Sequence, residues 1–195
     1  MSDADRRASN FLTAITYLRV ALVPIIMALV MAGHRVRYAY AIAAVLFAIA
    51  AVTDFFDGFL ARRWAKASTL GSFLDTTADK LLVSGALVAL VAVDRASVWI
   101  AFLIIGRELV ILGLRGAIAA GGEVMSPSIW GKLKANAQFL AITLAIVRIP
   151  DRVGPLFVDQ YFMLLAAAAT VASAVEYLAR FARVFMRAGD ASSPP

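Results

Sequence analysis

Cysteine is absent from the 195-residue chain, and histidine occurs once, at His34. The first absence excludes disulfides, thiolate zinc sites and cysteine nucleophiles, and the second excludes a multi-histidine metal centre. Any bound metal has to be held mostly by oxygen, which favours hard cations such as Mg2+ or Mn2+. Charge is scarce too: 16% of residues are charged against 62% hydrophobic, and the mean hydropathy is +0.83. A soluble domain needs a polar exterior that so few polar residues cannot supply. The chain therefore reads as a membrane protein. Nineteen Lys and Arg against thirteen acids give a net charge of +6. These bases flank apolar segments and lack the aromatic interleaving that stacks nucleobases, so they point to anionic headgroups or phosphorylated ligands and away from nucleic acid.

What the sequence has is long apolar stretches. A membrane span needs about 20 mostly apolar residues, and six candidates occur: 11–32, 38–60, 72–93, 98–119, 129–149 and 156–185. They do not alternate polar with apolar, so they predict helices and not barrel strands. The expected fold is all-α: one domain over residues 1–195, a bundle of six transmembrane helices with an interfacial metal site. Residues 1–9 read as a retained cytoplasmic tail and residues 188–195 as a flexible one. Arg6, Arg7, Arg62, Arg63, Lys66, Lys132, Lys134, Arg180, Arg183 and Arg187 fall on one side, against Arg35, Arg37, Arg95, Arg148 and Arg152 on the other. The richer side is expected to be cytoplasmic, with both termini inside.

Against this background the stretch TDFFDGFLARRWAKASTLGSFLDTTADK, Thr53 to Lys80, is anomalous. Asp54 and Asp57 are spaced i,i+3 and Asp75 and Asp79 i,i+4, so each pair shares a helical face. If the intervening loop folds the helices antiparallel, four carboxylates converge at the cytoplasmic interface. Their mutual repulsion is relieved by one divalent cation or two, an arrangement suited to phosphoryl or phosphatidyl transfer. Gly58, Ala61 and Gly71 are small where a ligand could approach the backbone. Arg62 and Arg63 can meet a diphosphate with charge-assisted bonds.

The pattern D-x2-D-G-x2-A-R-x8-G-x3-D-x3-D, from Asp54 to Asp79, resembles at every position the signature of the CDP-alcohol phosphatidyltransferase family. The resemblance implies a six-helix, commonly dimeric, integral membrane enzyme. It would use Mg2+ or Mn2+ to transfer a phosphatidyl group from CDP-diacylglycerol to an alcohol, releasing CMP. By that resemblance Asp54, Asp57 and Asp75 are metal ligands, Asp79 is a ligand and the general base, and Gly58, Ala61, Arg62 and Gly71 line the CDP-diacylglycerol site. Asn10 and Thr13, on one face where the first helix begins, either cap that helix or join the nucleotide site.

Three further stretches, NFLTAITYLRVALVP, IGRELVILGLR and WGKLKANAQ, resemble the first, fourth and fifth helices of bacterial phosphatidylglycerophosphate synthases. They imply glycerol 3-phosphate as the acceptor, phosphatidylglycerol phosphate as the product, and an active site on the cytoplasmic side of the bacterial inner membrane. Charged residues inside membrane helices are costly and tend to be functional. Arg107, Arg115, Lys132 and Lys134 are accordingly the candidate glycerol-3-phosphate ligands. Glu108 and Arg115, seven apart, could pair or share a ligand. Lys132 and Lys134 cannot both face one pocket, and either could instead snorkel to the interface. Arg19 is either a phosphate ligand or the partner of an acid. Departures from the family pattern are the TTADK segment, where a proline often follows the third aspartate, and GAIAA after Arg115. Within the family, cardiolipin synthesis and inositol-phosphate transfer are the alternatives. Outside it, a divalent-cation transporter is the rival, which would place carboxylates near the midplane of several helices.

Overall fold

The computed structural model describes the backbone of residues 3–64, 69–120 and 129–191 and the side chains of residues 14–53, 76–119, 131 and 133–182. Among them are six helices: α1 (Asp3–Met31), α2 (Ala39–Trp64), α3 (Thr69–Ala92), α4 (Val98–Ala120), α5 (Ile129–Val147) and α6 (Val158–Ala191). With 19 residues in α5 and more in the others, each reaches the length needed to cross a bilayer. By length and apolar composition together, two segments qualify among the described residues: Ala14–Met31 of α1 and Val158–Ala182 of α6. Ala39–Thr53 and Leu133–Val147 are shorter apolar helices. In α4, the charges of Arg107, Glu108 and Arg115 interrupt the apolar run.

Two boundaries differ from expectation. Helix α1 begins at Asp3, inside the stretch read as a tail. Helix α6 runs to Ala191, so residues 188–191 are helical and not part of a loose tail. A third element was not foreseen. The residues before the sixth expected span and the first two residues of that span form an antiparallel hairpin of β1 (Arg152–Val153) and β2 (Leu156–Phe157). Gly154 turns it at φ 68°, a left-handed conformation that only glycine adopts without steric cost. The hairpin feeds α6 directly, and the Phe157 N–H donates to Gln160 Oε1 at 3.0 Å, half of a capping box.

The helices pack in the cyclic order α1–α3–α4–α6–α5–α2, with α3 also reaching α5 across the middle. The apolar core lies towards one end. It is formed by the end of α1 (Ile26, Val30), the start of α2 (Ala43, Phe47), the second half of α3 (Leu82, Leu87, Leu90) and Ile104 of α4. Ala141, Ile142 and Ile146 of α5 and Met163 and Ala166 of α6 complete it. Alanine recurs because small side chains let helix backbones approach, the usual way helices adhere in lipid. Where α3 crosses α1, a Cβ on Gly85 would sit 2.5 Å from Val23 Cγ1. Large apolar side chains such as Trp99, Phe102 and Leu109 point outwards, an exterior suited to lipid.

Reciprocal arginines close the apolar end. Arg95 Nη1, from the α3–α4 turn, donates to the Ile146 carbonyl at the end of α5 at 2.5 Å. Arg148, just past α5, donates back to the Arg95 carbonyl at 3.0 Å and pairs with the buried Asp159 of α6 at 3.0 Å. These bonds satisfy carbonyls that helix ends leave without partners. Asp94 and Arg148 adopt positive φ, 56° and 43°, in turning the chain there.

Candidate active site

The opposite half of the same helices carries the buried polar residues. Asp79 and Lys80 are consecutive on α3, and Lys80 Nζ donates to Asp79 Oδ2 at 2.6 Å. Lys80 also reaches across to α4, 3.2 Å from Glu108 Oε2. Glu108, only 3% exposed, receives two more cations on Oε1: Arg107 Nη1 at 3.4 Å and Lys134 of α5. Arg107 Nη2 donates to Ser173 Oγ of α6 at 2.7 Å. One turn along α5 from Lys134, Gln138 Nε2 donates to Thr170 Oγ1 of α6 at 2.9 Å. Four helices thus meet through polar side chains.

Buried charge is tolerated when it is paired and hydrogen-bonded. Here the side chains of Lys80, Arg107 and Lys134 face the carboxylates of Asp79 and Glu108. Within this network two side-chain atoms, Asp79 Oδ1 and Arg107 Nε, are buried with no hydrogen-bond partner among the described residues. The first is an acceptor on an acid and the second a donor on a base. An open guanidinium donor among basic side chains suits an anionic ligand. The open carboxylate oxygen suits a cation or a proton.

The arrangement brings Asp79, Arg107 and Lys134 into one network, with Glu108 and Lys80 as its links. Glu108 pairs with its neighbour Arg107 on α4 and with Lys80 of α3 and Lys134 of α5, and not with Arg115. Arg115 is exposed two turns further along α4, though near enough to Arg107 for their charges to interact. Arg19 is 1% exposed on α1. Asn10 and Thr13 lie on the α1 backbone; Asp54, Asp57, Gly58, Ala61 and Arg62 on α2; Gly71 and Asp75 on α3; and Lys132 on α5. The side chains of all ten lie outside the described residues, as do those of Arg63 and Trp130. Among the described residues no group of three or more His, Cys, Asp or Glu could hold a metal.

Gln138, Thr170, Ser173 and Tyr177 were not among the expected site residues. For three of them the signal was present in α6, where Thr170, Ser173 and Tyr177 fall at i, i+3 and i+7. A cleft of about 330 Å3 also opens at the far, apolar end between the α3–α4 turn and α6, lined by Arg95, Ser97, Ile100, Gln160 and Met163. It does not touch the charged network.

Residues 10–172 match the family model described as CDP-alcohol phosphatidyltransferase. Three bacterial relatives bear the name CDP-diacylglycerol–glycerol-3-phosphate 3-phosphatidyltransferase. The Bacillus subtilis protein is 38% identical over 148 residues, covering 71% of this chain and 77% of the relative. The Pseudomonas fluorescens protein is 37% identical over 178 residues, covering 87% and 88%. The Pectobacterium atrosepticum protein is 43% identical over 150 residues, covering 74% and 80%.

Proposed function

The chain belongs to the CDP-alcohol phosphatidyltransferase family, and from that membership we propose that it transfers a phosphatidyl group from CDP-diacylglycerol to glycerol 3-phosphate, giving phosphatidylglycerol phosphate and CMP. The relatives named for this reaction support the acceptor. The geometric observation that carries the reading is the link from Asp79 through Lys80 to the buried cluster of Glu108, Arg107 and Lys134. It sets a carboxylate base beside a cationic pocket, as a hydroxyl acceptor with its own phosphate requires.

In this reading the primary hydroxyl of glycerol 3-phosphate attacks the phosphorus that carries the diacylglycerol. Its proton passes to Asp79, and the bond from that phosphorus to the CMP oxygen breaks. Arg107 and Lys134 hold the acceptor's phosphate, while Lys80 ties the Asp79 carboxylate to their network. Lys132 and Arg115 complete the acceptor set we propose. Asn10, Thr13, Gly58, Ala61, Arg62 and Gly71 form the CDP-diacylglycerol set.

Asp54, Asp57, Asp75 and Asp79 would hold Mg2+ or Mn2+, as two ions. The described part of the site fits such a group: Asp79 Oδ1 is a buried carboxylate oxygen without a hydrogen-bond partner among the described residues. When bound, the cations would neutralise the diphosphate and the charge that develops on the departing CMP.

The reading includes six membrane-crossing helices as a bundle, a homodimer, and an active site on the cytoplasmic face of the bacterial inner membrane. The inward bias of Lys and Arg supports that orientation. The test is purified protein in mixed micelles with CDP-diacylglycerol and Mg2+. Glycerol 3-phosphate, phosphatidylglycerol and inositol phosphate are supplied separately, and CMP and lipid product are followed. CMP release only with glycerol 3-phosphate is the expected result. Release only with another acceptor would keep the family chemistry and overturn this assignment.

A further inference from the structure

Helix α6 enters the charged network through Ser173 and Tyr177, both beyond residue 172, where the family match ends. Ser173 is fully buried, and its Oγ takes the 2.7 Å bond from Arg107 Nη2. One turn later Tyr177, 6% exposed, presents its ring 5.6 Å from the Arg107 guanidinium carbon. One turn earlier Thr170 accepts from Gln138 and donates to the Ala166 carbonyl at 2.6 Å, which ties this face of α6 to α5. Arg107 is therefore held by Glu108 at Nη1, by Ser173 at Nη2 and by an aromatic ring nearby. Its Nε is buried with no hydrogen-bond partner among the described residues.

A guanidinium is a rigid planar fork, so fixing two of its nitrogens fixes the direction of the third. We infer that Ser173 is a positioning residue that holds Arg107 for the phosphate of the acceptor, and so sets the affinity for a phosphorylated alcohol. The inference rests on the proposed transfer to glycerol 3-phosphate. Ser173 touches no substrate itself. It anchors Nη2, and the Nε–H stays directed for a phosphate oxygen to accept. Without the hydroxyl, the fork is held at one nitrogen and can turn away.

The experiment is steady-state kinetics of full-length Ser173→Ala in mixed micelles with CDP-diacylglycerol, Mg2+ and varied glycerol 3-phosphate, beside Arg107→Ala and the double variant. KM for glycerol 3-phosphate rises about tenfold in Ser173→Ala, the scale of one hydrogen bond to a charged group. KM for CDP-diacylglycerol and kcat stay within about twofold. In the Arg107→Ala background the same change adds nothing, since the group that Ser173 positions is gone. Ser173→Cys, nearly isosteric and a poorer acceptor, shifts KM in the same direction and guards against a folding defect in the alanine variant. An unchanged KM, an equal rise for both substrates, or a full additional loss in the Arg107→Ala background would each overturn the role of Ser173. Wild-type protein that does not turn over glycerol 3-phosphate would overturn the underlying reading instead, and this inference with it.

Discussion

The two ends of the helical assembly solve opposite problems with the same six helices. At one end Phe47, Leu87, Leu90, Ile104 and Ile146 are fully buried among alanines, beside a latch of Arg95, Arg148 and Asp159 that closes the turns. At the other end the same helices bury Glu108, Lys134, Gln138, Thr170 and Ser173. Apolar packing is tolerant of detail and supplies cohesion. A buried charge network is unforgiving, because removing one member strands the others. Cohesion at one end thus allows the other to keep costly charges poised for a ligand. Substitutions at the apolar end should lower stability and spare the kinetics, whereas those at the polar end should change the kinetics and add a stability cost wherever they strand a buried charge.

The largest effect is expected at Asp79. Asp79→Asn should abolish CMP release while leaving nucleotide binding largely intact; a missing general base alone accounts for about 10²–10⁴-fold. Turnover near the wild-type rate would remove Asp79 as the base. Next comes Leu87→Ala in the apolar half, where a fully buried side chain is truncated. It should cost about 2–5 kcal/mol in detergent unfolding, with KM for both substrates unchanged at permissive temperature. A specific rise in KM for glycerol 3-phosphate would show that the two ends are coupled. The smallest is Arg148→Gln, which breaks the latch to Asp159. Arg148 is 17% exposed in that pair, so we expect about 1–3 kcal/mol, the scale of a hydrogen bond to a charged group. Its kinetic constants should not move. If Arg148→Gln lost activity out of proportion to stability, the outer latch would have a part in catalysis.

The apolar half was largely legible in the sequence, because run length alone predicts helices in lipid, where backbone groups must be satisfied internally. The hairpin at Arg152–Phe157 escaped notice because two-residue strands leave no periodicity, and Gly154 alone does not announce them. Glu108 shows the opposite limit. Its seven-residue spacing to Arg115 suggested a partner on its own helix. Its partners are instead its neighbour Arg107 and two lysines from α3 and α5, contacts that depend on helix rotation and are invisible to local spacing. Lys80 joins the Asp79 carboxylate to Glu108, a link that its place beside Asp79 in the chain does not reveal. Ser173 was passed over as one small polar residue on a greasy helix. Its meaning comes from Arg107 across the interior.

The most direct test of the account is the fate of an oxygen. Glycerol 3-phosphate labelled with 18O in its primary hydroxyl is turned over with CDP-diacylglycerol and Mg2+, and both products are weighed by mass spectrometry. Attack by that hydroxyl on the phosphatidyl phosphorus predicts that all of the label appears in the lipid product and none in CMP. Unlabelled lipid product, or label in CMP, would contradict the reaction proposed for the polar end.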